Sequence, residues 1–360
     1  MIGPTLGRYI CGLFLRSILA VFAVIFSLVY VIDFVDMMRR AGDIPGITAG
    51  YVAYLSLLRT PSAAEQILPF CVLFGAMAAF LNLTRKLELL VARAAGVSVW
   101  QFLIPPVLIA LGIGLVSVGA YNPVSAAMKR QADGIELKLF ARNTTPAGTA
   151  VWLRQKSVDG EAIIHADASS DGGTRLSGVT AFIYDEDGRL AQRVDADSGR
   201  LLPGVWELQD VRVSTPGEAR QDAGTYLLAT DLQADQVAQS FAKPDSVPFW
   251  ELPGLRARTE TAGLDATGYR LQFQTLLARP LLLVAMVLVA AAFSLRFFRF
   301  GGITVMVGGG VAAGFVLYTA TKFVGDLGGA GVLSAPLAAW APAVVANMLG
   351  ALALLHQEDG

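Results

Sequence analysis

The stretch Arg85-Lys86-Leu87-Glu88-Leu89-Leu90-Val91-Ala92-Arg93-Ala94-Ala95-Gly96 lies between two long apolar runs, 66–83 and 102–121, and separates two crossings of a membrane by more than a turn. A chain that only crossed a bilayer and turned back needs a bare turn here. Leu83, Leu87, Leu90 and Ala94 instead recur at spacings of four, three and four, the repeat of one apolar helix face. Arg85, Lys86, Glu88 and Arg93 fall on other faces. Gly96 supplies a helix stop. Ser98 with Gln101 reads as the capping box of the next helix, and Val97 with Phe102 as its hydrophobic staple. The spacing predicts a short helix over 85–96, built rather than slack, and suited to receive force from another protein.

Outward from this stretch the chain is apolar. Of 360 residues 54% are hydrophobic and the mean hydropathy is +0.55, which places it in a membrane. Six runs are near the ~20 residues a bilayer requires: 13–32, 66–83, 102–121, 271–295, 303–323 and 335–355. The first is too long for a removable signal peptide and lacks a small-residue cleavage site, so it reads as a retained anchor. Charge concentrates between the third and fourth runs, where 16 of 28 Lys and Arg and 21 of 29 Asp and Glu fall within 122–270. That middle is a water-soluble domain. A net charge of −1 argues against a nucleic-acid partner. Cys11 and Cys71 lie in or beside spans, giving no disulfide framework, and His165 and His356 lack ligand spacing, so neither a metal nor a cofactor is expected.

Lys and Arg in short loops set the orientation. Arg8, the group Arg85, Lys86 and Arg93, and the pair Arg296 and Arg299 belong on the cytoplasmic side. Both termini are then cytoplasmic and the large domain is periplasmic. Arg39 and Arg40 are the exception, placed outside against the rule. The expected domains are 1–122, with three spans and the cytoplasmic helix; 123–270, the inserted domain; and 271–360, with three more spans.

The inserted domain has a β pattern. Val179, Ala181 and Ile183 alternate with Thr180, Phe182 and Tyr184, a turn follows at 185–188, and 189–194 returns as a hairpin. Further strands are predicted at 150–154, 162–166, 205–213 and 225–231. Regular short strands imply a sandwich or jelly roll. Trp152 and Trp206 read first as core residues, with lining of a lipid groove as the sharper alternative. Pro244 to Pro253, enclosing Phe249 and Trp250, reads as an extended link back to the membrane.

With these residues in view the chain resembles the lipopolysaccharide-export permeases LptF and LptG. The stretches carrying the resemblance are Asp33-Phe34-Val35-Asp36 with Arg39-Arg40-Ala41-Gly42, Leu68-Pro69-Phe70, and Glu88-Leu89 to Arg93-Ala94-Ala95-Gly96. Later come Leu277-Ala278-Arg279-Pro280, Gly314-Phe315-Val316-Leu317-Tyr318, and Ala338-Ala339-Trp340-Ala341-Pro342. They occur in order over essentially the whole chain, and 33–43 is closer to the LptG branch. The resemblance implies an α-helical membrane protein of six transmembrane helices with an inserted periplasmic β-jelly-roll-like domain. It implies a half-transporter that pairs with the paralogous permease LptF above a dimer of the cytosolic ATPase LptB, beside the membrane-anchored periplasmic protein LptC. Lipopolysaccharide would enter laterally from the outer leaflet and leave towards a periplasmic bridge. The chain has no G-x-x-x-x-G-K-[ST] loop, so ATP hydrolysis is expected in a separate subunit.

Against that frame Arg85, Glu88 and Arg93 are the candidates for ATPase coupling. Glu88 is the sharpest, because orientation does not call for an acid there and the family has one at this position. Arg39 and Arg40, with Lys129 and Arg130, are the candidates for the lipid headgroup phosphates; ion pairs with Asp36 or Asp43, or snorkelling, are the plain alternative. Asp33 subtracts from phosphate attraction. The resemblance makes Phe26, Phe315 and Tyr318 candidate acyl-chain or lateral-gate contacts, against ordinary packing aromatics. Gly308, Gly309, Gly310 and Gly314 suit close helix approach. Lys322 and Asp326 read as a structural ion pair, and Arg279, beside Pro280, as either functional or snorkelling. The LptF paralogue or another lipid-extruding permease, and in another class a non-transporting scaffold, remain as alternatives. An intramembrane enzyme finds no support, since Arg16, Glu65, Arg279 and Lys322 look scattered singly.

Overall fold

A computed structural model describes residues 4–42, 47–140, 151–157, 160–170, 173–185, 189–217, 220–230, 244–261, 266–296 and 303–359. The chain forms two units, one of 1–133, 245–250 and 270–360, the other of 134–244 and 251–269.

In the first unit the helices are α1 (Pro4–Ala41), α2 (Ala49–Arg85), α3 (Glu88–Ala94) and α4 (Val99–Val116), a π-helical turn (Ser117–Tyr121), and α5 (Asn122–Phe140), which runs on into the second unit. After the inserted domain come α6 (Leu252–Thr261, in the second unit), α7 (Thr267–Arg296), α8 (Ile303–Gly329) and α9 (Ala335–Asp359). Among the described residues six helical segments are long and apolar enough to span a membrane, matching the six expected runs. The 38 residues of α1 reach about 57 Å at 1.5 Å per residue, well beyond a ~30 Å hydrocarbon layer. The first span is therefore a rod projecting past the bilayer.

Lipid tails offer helices no hydrophobic reason to associate, so contact depends on close packing by small residues. Gly75 on α2 meets α1 so closely that a Cβ there would lie 2.5 Å from the Ile18 Cα. Gly314 on α8 seats the Leu73 side chain, Gly310 seats Met77, and Gly114 on α4 abuts Pro280 on α7. The glycines of 308–314 thus serve the close approach their sequence predicts, Gly308 excepted, which faces open space. Between these crossings lies a core in which Phe14 and Phe80 pack edge to face at 4.9 Å, with Cys71, Leu73, Leu103, Leu283 and Met286 around them.

The second unit holds the expected inserted all-β domain. Six strands, β1 (Val151–Ser157), β2 (Gly160–Ser170), β3 (Arg175–Tyr184), β4 (Leu190–Leu202), β5 (Val205–Ser214) and β6 (Gln221–Ala229), pair antiparallel in sequence order. Each predicted strand is present, though several run longer, and the described strands connect as successive neighbours. Val179, Ala181 and Ile183 point inward as their alternation requires, and join Ile164, Val194, Trp206 and Leu208 in one core. Trp206 is a core residue. Trp152 is not: it stands 65% exposed, its ring 4.4 Å from that of His165 on the neighbouring strand. The predicted hairpin turn falls mostly at 186–188, outside the described residues.

Two expectations about connecting segments are corrected. The return segment is not extended. It opens with a 3₁₀ turn, Pro244–Ser246, and α6 starts at Leu252, because proline, which breaks strands, is well suited to a first helical turn. Phe249 is buried and stacks on Phe273 at 5.2 Å. The helix expected over 85–96 is likewise divided. α2 continues through Arg85, Leu87 adopts φ 57°, and only Glu88–Ala94 is helical.

Candidate functional site

The break at Leu87 rotates the register of α3. Leu83, still on α2, is buried, but Leu87, Leu90 and Ala94 point outward, and Leu89 is the residue packed inward. The predicted apolar face therefore exists as an outward surface: Leu87 and Leu90 are 52% exposed and Val91 66%. Its setting is stiff. Gly96, at φ 85°, ends α3, and the Val97 N–H donates to the Ala92 carbonyl at 3.1 Å, the six-to-one bond of a Schellman end. Ser98 Oγ then accepts the Gln101 N–H at 3.3 Å, so the N-cap of α4 stands two residues after Gly96, as the capping signal predicts. Glu88 opens α3 and accepts a hydrogen bond from the Tyr9 hydroxyl at 3.1 Å, tying α3 to the start of α1. Arg85 is exposed at the end of α2; the side chain of Arg93 lies outside what is described.

At the opposite end of α1 sit Arg39 and Arg40. Arg40 pairs with Asp36 at 3.0 Å, both about half exposed at 54% and 51%, a surface pair worth at most about 1 kcal/mol. Arg39 is exposed and pairs with no described residue. Asp43 falls outside the described residues. Asp33, the acid that stood against phosphate attraction, faces Arg59 of α2 at 3.4 Å. Lys129 and Arg130 reach partners on the return segment. Lys129 pairs with Asp245, and Arg130 Nε donates to the Ser246 carbonyl at 3.4 Å, so both hold the return segment.

Phe26 on α1 packs near Phe22, the rings 5.9 Å apart. Tyr318 on α8 packs on Phe70 of α2 at 5.1 Å, while Phe315 is largely exposed. No described ring contact joins Phe26 to Phe315 or Tyr318. α1 and α8 leave most of their apolar surface uncovered. Lys322 and Asp326 form the expected i, i+4 pair at 3.8 Å.

The largest departure from the sequence reading lies inside the bundle, where Glu65 and Arg279 are not scattered singly. Arg279 Nη1 pairs with Glu65 Oε1, with side chains 12% and 6% exposed. Two more donors reach the same carboxylate, Asn122 Nδ2 at 3.0 Å and Ser125 Oγ at 2.6 Å. The π-helical turn at Ser117–Tyr121 immediately precedes Asn122; such bulges recur at functional positions. Its last residue, Tyr121, donates to the Pro61 carbonyl at 3.0 Å. An intramembrane ionisable residue is itself a sequence signal, but which two meet depends on residues 214 positions apart. The cluster contains one carboxylate and its cation, a set that balances charge rather than supplying the paired acids of hydrolytic chemistry.

A family model described as "Lipopolysaccharide export system permease LptF/LptG" matches residues 8–356. Among curated proteins, the lipopolysaccharide export system permease protein LptG of Escherichia coli strain K12 is 25% identical over 335 residues, covering 89% of this chain and 90% of that protein. The LptG protein of Haemophilus influenzae is 23% identical over 344 residues, with the same coverage of each. The six apolar spans, the inserted β domain between the third and fourth, and a match over nearly the whole length agree: the chain is a multi-pass permease component and belongs to the LptF/LptG lipopolysaccharide export permease family.

Proposed function

We propose that this chain is the LptG-type subunit of an ATP-driven exporter that draws lipopolysaccharide from the outer leaflet of the inner membrane and passes it to a periplasmic bridge. The observation that carries the reading is α3, with its outward face of Leu87, Leu90 and Val91 beside Glu88. An apolar patch with an acid at its edge, fixed by caps at the foot of two spans, suits docking of a cytosolic ATPase such as LptB. Arg85, Glu88 and Arg93 then flank the contact, and both termini are cytoplasmic. The uncovered faces of α1 and α8 suit a paralogous LptF, with Phe26, Phe315 and Tyr318 towards acyl chains in the shared cavity. Arg39 and Arg40 meet headgroup phosphates at the outer leaflet, since the exposed Asp36 pair is weak enough for a phosphate to displace. Lys129 and Arg130 anchor the return segment beside that mouth. The β domain, periplasmic, receives the lipid alongside LptC.

Co-expression with the paralogous permease and the ATPase, followed by release of lipopolysaccharide from proteoliposomes, tests this. The three chains are expected to co-purify, and Glu88→Lys to abolish lipid-stimulated ATP turnover. Purification of the chain without either partner, or normal turnover in the Glu88→Lys complex, would refute the proposal.

A further inference from the structure

Four polar residues on α5, Asn122, Ser125, Lys129 and Asp133, are spaced three, four and four, which puts them on one helical face. Each is engaged. Asn122 and Ser125 donate to the buried Glu65 carboxylate, Lys129 pairs with Asp245, and Asp133 Oδ2 accepts from Ser246 Oγ at 2.8 Å. The lower half of the stripe thus holds α2 and, through Glu65, Arg279 of α7; the upper half holds the return segment 245–250.

Asn122 is where the halves meet. Its Nδ2 donates to Glu65 while its Oδ1 accepts the Phe249 N–H at 2.9 Å, so one amide joins the ion pair to the strap. Trp250 Nε1 adds a bond to the Gly119 carbonyl in the π-helical turn at 3.2 Å. The amide's orientation is determined, because a carboxylate needs the donor end and a backbone N–H the acceptor end.

We propose that Glu65, Asn122 and Arg279 are positioning residues for lipid transfer: they weld α2, α5, α7 and the strap into one rigid joint. α3 bridges the other ends of α2 and α4, and α4 runs through the π-helical turn into α5. A push on α3 is carried along both helices to the joint and emerges at the strap, where the chain returns from the inserted domain. The Arg279 and Glu65 side chains are 12% and 6% exposed and Asn122 is buried, so the three act by positioning. Lateral opening is left to α1 and α8, the least covered helices. This rests on the exporter reading above.

The test uses the complex with both partners in proteoliposomes, with Cys11→Ser and Cys71→Ala as background. In one arm Asp133→Cys and Ser246→Cys are bridged by a short bifunctional thiol reagent. A rigid joint already holds these positions together, so lipopolysaccharide release should stay within about twofold of the unbridged complex; a block of release on bridging would overturn the proposal. In the other arm Asn122→Leu should assemble normally and hydrolyse ATP at an unchanged rate, while release falls about tenfold or more, as expected when a buried charge-assisted bond that carries motion is lost. Full release by an assembled Asn122→Leu complex would also overturn it. If Asn122→Leu fails to assemble, the bridging arm decides alone. Failure of the unmodified complex to release lipid would instead sink the exporter reading.

Discussion

Replacing Arg279 by Met would leave the Glu65 carboxylate, 6% exposed, without its cation. Breaking a buried pair from one side costs about 3–5 kcal/mol. The Asn122 and Ser125 donors remain, so the lower end applies, about 3 kcal/mol or roughly a hundredfold in the folding equilibrium. Adding Glu65→Leu removes the stranded charge. It leaves the Asn122 amide without that acceptor, while Ser125 Oγ keeps the Asn122 carbonyl at 3.1 Å. The double variant should therefore recover about 1–2 kcal/mol over Arg279→Met alone. Reversible unfolding in mixed micelles, followed by loss of helicity, measures both. Arg279→Met within about 1 kcal/mol of the unmodified chain, or a double variant no more stable than the single, would refute the view that these residues form a charge-balanced pair.

Gly75→Ala should destabilise the bundle by about 1–3 kcal/mol in the same assay, because the new methyl meets the α1 backbone at Ile18 and backbone cannot swing aside. Gly112→Ala, with nothing within 4 Å, is the control and should be neutral or slightly stabilising. Trp206→Ala should cost the inserted domain about 3–5 kcal/mol, seen as faster proteolysis within the β domain while the spans stay protected; unchanged proteolysis would remove Trp206 from the core. A photocrosslinker at Arg39 or Phe315 should capture lipopolysaccharide in cells, and one at the enclosed Leu73 should not. Equal capture at all three positions would deny a directed lipid path.

Patterns that live within one element were legible in sequence. The six spans follow from apolar length alone, since lipid requires that each crossing satisfy its own backbone hydrogen bonds. The β strands follow from alternation, and the caps at Gly96 and Ser98 from local chemistry repeated at every helix end. The path of α3 was not. Its apolar period was real, but the period cannot tell a continuous helix from one interrupted at Leu87, and that single positive φ turned the face outward. Proline at 244 and 253 suggests an extended link, yet its fixed φ equally favours the start of a helical turn.

The class is written in the residues alone: an apolar chain of six spans around a charged β insertion, with a capped helix between the second and third. This is so because helix length, alternation and capping are decided among neighbours a few residues apart. Which charges meet follows from how the helices cross. Glu65 and Arg279 find each other across 214 positions, Lys129 and Asp245 across 116, and their pairing turns isolated intramembrane charges into one satisfied joint. A buried charge costs so much unpaired that the fold must supply its partner, but the identity of that partner depends on how the helices cross, and the crossings depend on which glycines let backbones touch.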